Sequence, residues 1–242
     1  MPYSAYSLPC VVADQYIFTS IHSEDADTVT YAATQKNMSR EVLVRSLRPA
    51  AMQDSRKVRF FVETARLQAR LEHPNIAAPL ELLQADETWH LAVERIKGEP
   101  LDMMVSNGRV LSSMVVCGLL QQLCRVCIYL DIERIASSPF ALEHAYFMEM
   151  NFRFDNMALA GLRARNASMN YLSDASRLIM PLLDMNEPLA QHLRRIMEHM
   201  RSLSSWRPLT PVHFNEELTR LQMEMLRIQE GEKALVSNAY MQ

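Results

Sequence analysis

The stretch HSEDAD at residues 22–27 has the spacing of a loop that wraps the phosphates of a nucleotide, but it lacks the residue types. Such a loop needs glycine, because a residue without a Cβ lets backbone N–H groups approach phosphate oxygens. His22, Glu24 and Asp27 stand at the glycine positions. One like-charge contact at about 4 Å costs on the order of 1 kcal/mol even in bulk water. The sequence therefore predicts a polar hairpin turn that holds no phosphate.

Cys124 and Cys127 form a C-x-x-C pair, a spacing that can bind a metal or exchange a disulfide. The surrounding sequence, LLQQLCRVCIYL, is typical of an apolar helix, and no second Cys or His pair stands at zinc spacing. We interpret both cysteines as small buried hydrophobic side chains. Metal or redox chemistry is the alternative.

The composition excludes several classes of partner and location. The net charge of −3 shows no basic bias, so we expect neither nucleic acid nor an anionic membrane surface as a partner. The N-terminal residues lack the basic and apolar regions of a signal peptide, and we find no apolar run that would span a bilayer. We therefore expect a cytoplasmic protein. There are only 5 glycines, and none of them lies in a cluster that could hold a phosphate.

The pattern of apolar residues predicts a β-rich half followed by a helical half. Residues 14–48 alternate and favour β-branched types, which indicates three antiparallel strands. A helix over 52–72, capped by Asp54 or Ser55, precedes two more strands around a turn at Asp86. A short β-like patch is expected at 145–154. Further helices are predicted at 100–106, 111–133, 172–184, 188–203 and 214–233.

This order of elements resembles the protein kinase fold, in particular that of bacterial serine/threonine kinases of the eukaryotic type. The resemblance runs from about Tyr16 to about Leu221, and ETARLQARLEHPNIAAPLEL is its closest stretch. REVLVRSLRP, VERIKGEPL and WRPLT also fit. It implies an α+β, two-lobed fold with a five-stranded antiparallel sheet, one helix and a mainly helical second lobe. The expected divisions are an extension, an N-lobe, a C-lobe and a helix end with a tail, at 1–13, 14–98, 99–226 and 227–242.

The resemblance assigns roles to three positions of the N-lobe. Leu43 stands where the family has a small alanine under the adenine, and Arg45 stands at the strand lysine. Counting back from His73, Thr64 falls at the glutamate that pairs with this lysine. Arginine does not substitute freely for lysine, and threonine carries no charge.

Glu63 is the neighbouring acid on the same predicted helix. The apolar stripe is predicted to be Phe60, Thr64, Leu67 and Leu71. Since one residue is about 100° of helix rotation, Glu63 is expected to point to solvent. We interpret its face, which carries Arg56, Arg59, Arg66 and Arg70, as a solvated surface with pairs one turn apart.

The catalytic loop of the family falls on IASSPFALEHAYF. Ser137, Ser138 and Pro139 stand at its His, Arg and Asp, and His144 stands at the asparagine that holds magnesium. Proline has no acidic oxygen to accept a hydroxyl proton, and Mg²⁺ prefers oxygen to imidazole nitrogen. We interpret His144 as a surface or hydrogen-bonded histidine.

The metal-binding Asp-Phe-Gly motif of the family aligns with Asn156, Met157 and Ala158. Asp155 lies one residue early, which in a strand end sends the side chain to the other face. It is a candidate residual metal ligand only through a local bulge. Thirteen positions then separate Gly161 from Asp174, which resembles a buried aspartate of the C-lobe, so the long activation segment is missing.

Together these positions predict a pseudokinase that binds neither Mg-ATP nor any other cofactor and acts as a protein-interaction scaffold or allosteric regulator. The alternative is a divergent ATP-dependent phosphotransferase, similar to protein serine/threonine kinases, that uses Arg45, Glu149 and Asp155. A binder of another small molecule is a third hypothesis.

The C-terminal segment carries an apolar seam with coiled-coil-like spacing. Asn215 is predicted to cap its helix. We interpret the seam as packing on its own lobe, and a homodimer or partner contact beyond Leu226 is the alternative. The seam consists of Phe214, Leu218, Leu221, Met225 and Ile228.

Overall fold

The computed structural model describes residues 7–148, 151–157, 167–201 and 210–239, with side chains up to residue 231 in the last range. The chain divides into two compact units. Unit 1 comprises Met1–Lys97 and Asn156–Leu162, and unit 2 comprises Gly98–Asp155 and Arg163–Gln242.

Unit 1 is built on a six-stranded antiparallel sheet in the order β1-β2-β3-β4-β6-β5. The predicted count of five strands is wrong, because Cys10–Val12 pairs with the second strand from within the segment predicted to be an extension. A three-residue turn, 13–15, joins them, with positive φ at Ala13 and Asp14. The strands are β1 Cys10–Val12, β2 Tyr16–Glu24, β3 Thr28–Gln35, β4 Arg40–Leu47, β5 Pro79–Ala85 and β6 Thr88–Glu94.

The sheet of unit 1 buries side chains on both faces, because successive residues of a strand point to opposite sides. Val42 and Val44 of β4 lie in one cluster with Phe18 and Tyr31, whose rings stack at 4.5 Å. On that side, the Tyr16 hydroxyl donates a 2.7 Å hydrogen bond to Glu81 Oε2. Since β2 and β5 are not neighbours in the strand order, this bond shows that the sheet curls.

The other face of the sheet is covered by two helices, α1 Pro49–Met52 and α2 Ser55–Gln68, where one helix over 52–72 is predicted. The Asp54 side chain caps α2 by accepting from the Arg56 amide at 2.9 Å. The buried face of α2 consists of Phe61, Thr64, Ala65 and Gln68. The predicted stripe is right for Thr64 and Leu71, which are buried, and wrong for Phe60. Phe61 enters the core with Leu47 and Leu91, and Phe60 is 46% exposed.

Unit 2 is mainly helical and carries one small antiparallel sheet in the order β7-β8-β9. Its helices are α3 Leu101–Ser106, α4 Ser113–Glu133, α5 Ala167–Ile179, α6 Ala190–Arg201 and α7 Pro211–Ala239. Its strands are β7 Glu99–Pro100, β8 Ala145–Met148 and β9 Asn151–Phe154. The structure also has single 3-10 turns at Lys36–Met38, Leu142–His144 and Met180–Leu182.

Helix α4 is the central helix of unit 2 and packs against α5, α7 and β9. In the described part of the chain it is the one helix that is long and apolar enough to cross a membrane by length and composition alone. Most of its apolar window is buried inside the protein, as in the core helix of a helical domain.

Two sequence predictions fail in the helices of unit 2. Asn215 does not cap α7, because the helix begins a turn earlier, at Pro211, and Thr210 precedes it. Asp174 is not a buried aspartate, since its side chain is 41% exposed and lies 3.5 Å from Arg177. The segment that precedes α5, residues 158–166, lies outside the described residues.

The apolar seam of α7 packs within unit 2 as far as Met225. Phe214, Leu218, Leu221 and Met225 are all buried. The Cys117 thiol donates to the Leu218 carbonyl at 3.4 Å. This part of the seam is therefore internal, and Ile228 is the first seam residue that is only partly buried.

The C-x-x-C cysteines are buried in α4 as free thiols, and Cys117 is buried beside them. Burial raises the pKa of Cys117 to about 12 and that of Cys124 to about 12. A thiol kept protonated in this way neither attacks disulfides nor binds metal readily. The described residues contain no group of three or more His, Cys, Asp or Glu side chains that could hold a metal ion.

Candidate functional site

The turn between β2 and β3 is stabilised by a carboxylate of its own. Oδ1 of Asp25 accepts hydrogen bonds from the backbone amides of Asp27, at 2.8 Å, and Thr28, at 2.7 Å. Oδ2 accepts from the Thr28 hydroxyl at 2.8 Å. Backbone amides in a turn of this kind are the groups that a phosphate-binding loop offers to its ligand. Here an internal carboxylate occupies two of them.

The two acids at predicted glycine positions are paired with cations of the same unit. Glu24 Oε2 lies 2.6 Å from Nη2 of Arg48, and Asp27 Oδ1 lies 2.5 Å from Nζ of Lys57. The Arg48 amide also donates to the Asp27 carbonyl at 2.8 Å. These contacts hold the turn to the end of β4 and to the first turn of α2. His22, at the remaining position, is exposed on β2.

Asp25 is held in its ionised form. Partial burial would by itself raise the pKa of this carboxyl group. The hydrogen bonds from Thr28 and Asp27, and the positive charge of Arg45, outweigh that effect and lower the pKa below its ordinary value. The turn therefore carries a fixed negative charge, which the positive charge of Arg45 helps to stabilise.

A second cluster in unit 1 joins β4 and α2 to Asn156. Nη1 of Arg45 donates to Oδ1 of Asn156 at 2.9 Å, and Nε2 of Gln68 donates to the same oxygen at 3.2 Å. Thr64, at the predicted glutamate position, is 7% exposed and one helical turn before Gln68. Helix α2 thus contributes the neutral side-chain amide of Gln68 to this cluster. Leu43, two residues before Arg45, is 4% exposed.

Asn156 has an unusual backbone conformation. Its φ is 52°, in the left-handed region, where asparagine is enriched among non-glycine residues. Met157, which follows, is buried. Ala158, the last position of the predicted motif, lies outside the described residues, as does Glu149.

In unit 2, a third cluster lies at the hairpin of β8 and β9. Nδ1 of His144 lies 2.6 Å from Oδ1 of Asp155, and the Asp155 amide donates to the His144 carbonyl at 3.0 Å. The Tyr146 hydroxyl donates to Oδ2 of Asp155 at 3.4 Å. Asp155 is the predicted candidate metal ligand, and both of its carboxylate oxygens contact side chains of its own hairpin.

The segment that precedes this hairpin carries the other three predicted positions. Ser137 and Ser138 are buried, and Pro139 is exposed. None of the three supplies a carboxylate, so these positions offer no acidic oxygen that could accept a proton from a hydroxyl substrate.

Several residues of these clusters escaped the sequence analysis, among them Asp25, Arg48, Lys57 and Gln68 of unit 1. The local sequence carries a signal for Asp25, because an aspartate side chain in a turn commonly accepts hydrogen bonds from backbone amides two and three residues later. Arg48 and Lys57 had none, because their partners are distant in the sequence. Gln68 is a polar residue on the buried face of a helix, which a search for apolar periodicity overlooks.

No family model matches the sequence, and no curated protein matches it. Solved structures do match. A crystal structure of the PknI kinase domain of Mycobacterium tuberculosis is similar with a TM-score of 0.69 at 14% identity, over 90% of this chain and 99% of that chain. A second structure of that domain gives 0.67 at 13% identity, over 89% and 99% of the two chains.

The fold is protein kinase-like. A point mutant of the PknI kinase domain gives the same result, with a TM-score of 0.68 at 14% identity over 90% of this chain and 99% of that chain. At this identity the similarity establishes the fold, and what the chain does must be argued from its own residues. The predicted kinase-like α+β fold is confirmed, apart from the number of strands.

Proposed function

We propose that this protein is a pseudokinase: a kinase-like protein that does not transfer phosphate or bind Mg-ATP and acts through protein contacts, as a scaffold or allosteric regulator. One observation carries the proposal. The carboxylate of Asp25 occupies the backbone amides of Asp27 and Thr28, which is where a phosphate-binding turn would hold its ligand. ATP would have to displace this internal anion and then meet Glu24 and Asp27 nearby.

The residues at the other kinase positions support the same proposal. Phosphoryl transfer depends on positioning and on electrostatic stabilisation, with metal ions that neutralise the developing charge. Asn156 offers a neutral amide oxygen where the family has a metal-binding aspartate, and that oxygen already accepts from Arg45 and Gln68. Pro139 cannot accept a proton from a substrate hydroxyl group.

A second candidate function is a divergent ATP-dependent phosphotransferase that uses Arg45, Asp155 and Glu149. One contact favours it. A histidine held by a carboxylate, as His144 is by Asp155 at 2.6 Å, is the arrangement of many general bases. In this hypothesis the pair would take the proton from a substrate hydroxyl group in place of the missing aspartate.

Nucleotide binding separates the two hypotheses. The melting temperature would be measured with and without ATP, in the presence of Mg²⁺ and then of Mn²⁺. A ligand at 100 times its Kd stabilises a protein by about 2.7 kcal/mol, which such a scan resolves. We expect no shift with either metal. A shift of several degrees that is lost in Arg45→Ala would refute the proposal.

Transfer of the γ-phosphate provides the second test. Full-length protein would be incubated with γ-labelled ATP and with a general acceptor protein. We expect no label on either protein. Labelling that disappears in Asp155→Asn, and persists in the exposed-site variant Glu143→Gln, would establish the divergent enzyme instead.

A further inference from the structure

The outward side of α2 carries an exposed aromatic ring among arginines. Phe60 is 46% exposed, and the side chains of Arg56 and Arg59 are 90% and 79% exposed. Arg66 and Arg70 are also exposed, about two and three turns after Arg59, and Arg70 lies just past the end of α2. Spacings of three and four residues place these side chains on one side of the helix. We call this set, Arg56, Arg59, Phe60, Arg66 and Arg70, the α2 outer face.

Phe60 is exposed because the core is filled without it. The neighbouring Phe61 packs with Leu47, Ala65 and Leu91 beneath the sheet. Since residues 60 and 61 differ by about 100° of rotation, only one of the two rings can enter that core. Phe60 therefore adds apolar surface to the outside of unit 1.

The α2 outer face is positive, although the whole chain has a net charge of −3. Four arginines share this side with one acid, Glu63, which lies 2.7 Å from Arg59. Arg56 lies 3.4 Å from Asp54, the helix cap. Among the described residues, neither the Arg66 nor the Arg70 guanidinium has an ion-pair or hydrogen-bond partner. Two cations are thus available to an external anion.

This composition is typical of an interaction surface. Arginine and aromatic residues are enriched at the centres of protein interfaces, whereas lysine is depleted. An arginine also presents a planar group that binds a carboxylate through two parallel hydrogen bonds.

We propose that the α2 outer face is the docking surface for an acidic segment of another protein. The segment would place an apolar side chain against Phe60 and carboxylates against Arg66 and Arg70. The inference rests on the proposed function in one respect, which is that the chain acts by binding a protein. It does not depend on whether ATP binds.

Charge complementarity favours this occupant over a second copy of the chain. The exposed side of α7 mixes Glu216, Glu224 and Glu230 with Arg220 and Arg227, so it offers no acidic strip. Glu24 and Asp27 are already paired with Arg48 and Lys57. Neither surface supplies an acidic strip, so we assign the segment to a different protein.

Peptide display tests the proposal with the full-length chain. A library of random peptides of about twelve residues would be selected on the folded protein, and the enriched sequences would be synthesised with a fluorescent label. We expect aspartate and glutamate to be enriched around one leucine, isoleucine or aromatic residue. Binding would be measured by fluorescence polarisation in low and high salt, and it should weaken with salt because the contact is electrostatic.

Matched variants locate the binding surface. We expect the double variant Arg66→Glu/Arg70→Glu, and separately Phe60→Ala, to weaken peptide binding by about tenfold or more. Arg195→Glu/Arg201→Glu changes two exposed arginines of α6 and should leave binding unchanged. All these side chains are exposed, so each variant should keep the melting temperature and circular dichroism of the native chain.

Several results would overturn the inference. The first is a selection that enriches no acidic peptide. The second is a loss of peptide binding in the α6 control as large as in the α2 variants. The third is peptide binding that neither α2 variant weakens. Tighter binding of a labelled single-stranded oligonucleotide to the same face would assign it to nucleic acid. Self-association lost in Arg66→Glu/Arg70→Glu would assign it to a second copy. The ATP scan tests the proposed absence of nucleotide binding separately, so the two ideas can fail independently.

Discussion

The guanidinium of Arg45 donates a 2.9 Å hydrogen bond to Oδ1 of Asn156, which lies 111 positions later in the chain. Gln68 donates to the same oxygen, so a strand and a helix of unit 1 both hold this one amide. Because the Asn156 amide is neutral, its hydrogen bond positions the Arg45 guanidinium but does not neutralise its charge. The charge of Arg45 in turn helps to lower the pKa of Asp25, which carries the opposite sign.

Replacing Asn156 should destabilise unit 1. Asn156→Ala removes the acceptor for Arg45 and Gln68 and places alanine at a φ of 52°, which favours asparagine. We expect a loss of about 1–3 kcal/mol in the free energy of unfolding, since one of the lost bonds comes from a charged donor. Urea unfolding measures it. Asn151→Ala, at an exposed site of β9, is the control and should change little; equal losses in both variants would contradict this account.

Removing the carboxylate of Asp25 should destabilise the β2–β3 turn at neutral pH. The folded state lowers the pKa of this group, so its contribution is present above the ordinary aspartate pKa of about 3.9 and is lost as the pH falls through the lower folded value. We expect Asp25→Ala to have a lower melting temperature than the native chain at pH 7. The difference should shrink below about pH 4.

The control for Asp25 is Glu143→Gln, which removes an exposed acid of unit 2. It should leave the melting temperature nearly unchanged at pH 7. If Asp25→Ala melts at the same temperature as the native chain at pH 7, the carboxylate does not stabilise the turn, and the main support for the proposed loss of phosphate binding is gone.

The elements of this fold could be predicted because their signals are local. Alternation marks β2, β3 and β4, and the turn at Asp86 follows from a polar pair between two apolar runs. Rotation about a helix axis is harder to predict where two large apolar residues are adjacent. Phe60 and Phe61 fit an apolar stripe equally well, and only the shape of the core under the sheet decides between them.

The clusters could be predicted only in part, because they depend on contacts between distant residues. The acids of the β2–β3 turn were expected to repel a phosphate, but nothing in the local sequence shows that Arg48 and Lys57 would reach them. Gln68 was missed for a related reason. A buried amide is stable only if it finds a partner, and its partner, Asn156, is 88 positions away.

His90 should make unit 1 sensitive to mild acid. Its ring is buried in β6, with Nδ1 2.7 Å from the Ser46 hydroxyl and Nε2 3.2 Å from the Ala85 carbonyl. Burial lowers its pKa below 6.5, and a weaker opposing effect comes from Ala85 and Asp86. The unfolded state then binds the proton more readily, so stability is full above about pH 6.5 and falls as the pH drops below it.

The test of His90 is the slope of unfolding free energy against pH. One proton accounts for at most about 1.4 kcal/mol per pH unit. Between pH 6.5 and 5, His90→Gln should lose part of the native slope, whereas His192→Gln, at an exposed site of α6, should keep it. An unchanged slope in His90→Gln would show that other groups cause the acid sensitivity.

Gly98 should tolerate no side chain, because strand β8 passes directly over it. A Cβ at this position would lie 2.7 Å from Cγ of Met148 and 2.8 Å from the Phe147 carbonyl oxygen. The methionine side chain can move, but the backbone oxygen cannot do so without shifting β8. We expect Gly98→Ala to destabilise unit 2 by about 1–3 kcal/mol, as overpacking commonly does, in urea unfolding.

Gly118 provides the matched glycine for this test. It lies inside α4, and a Cβ there meets no atom within 4 Å apart from its own helix. Alanine in a helix interior is more stable than glycine by about 0.5–1 kcal/mol, so Gly118→Ala should raise the free energy of unfolding. The same substitution would then have opposite signs at two sites of one unit. If both variants move in the same direction, the steric explanation for Gly98 is wrong.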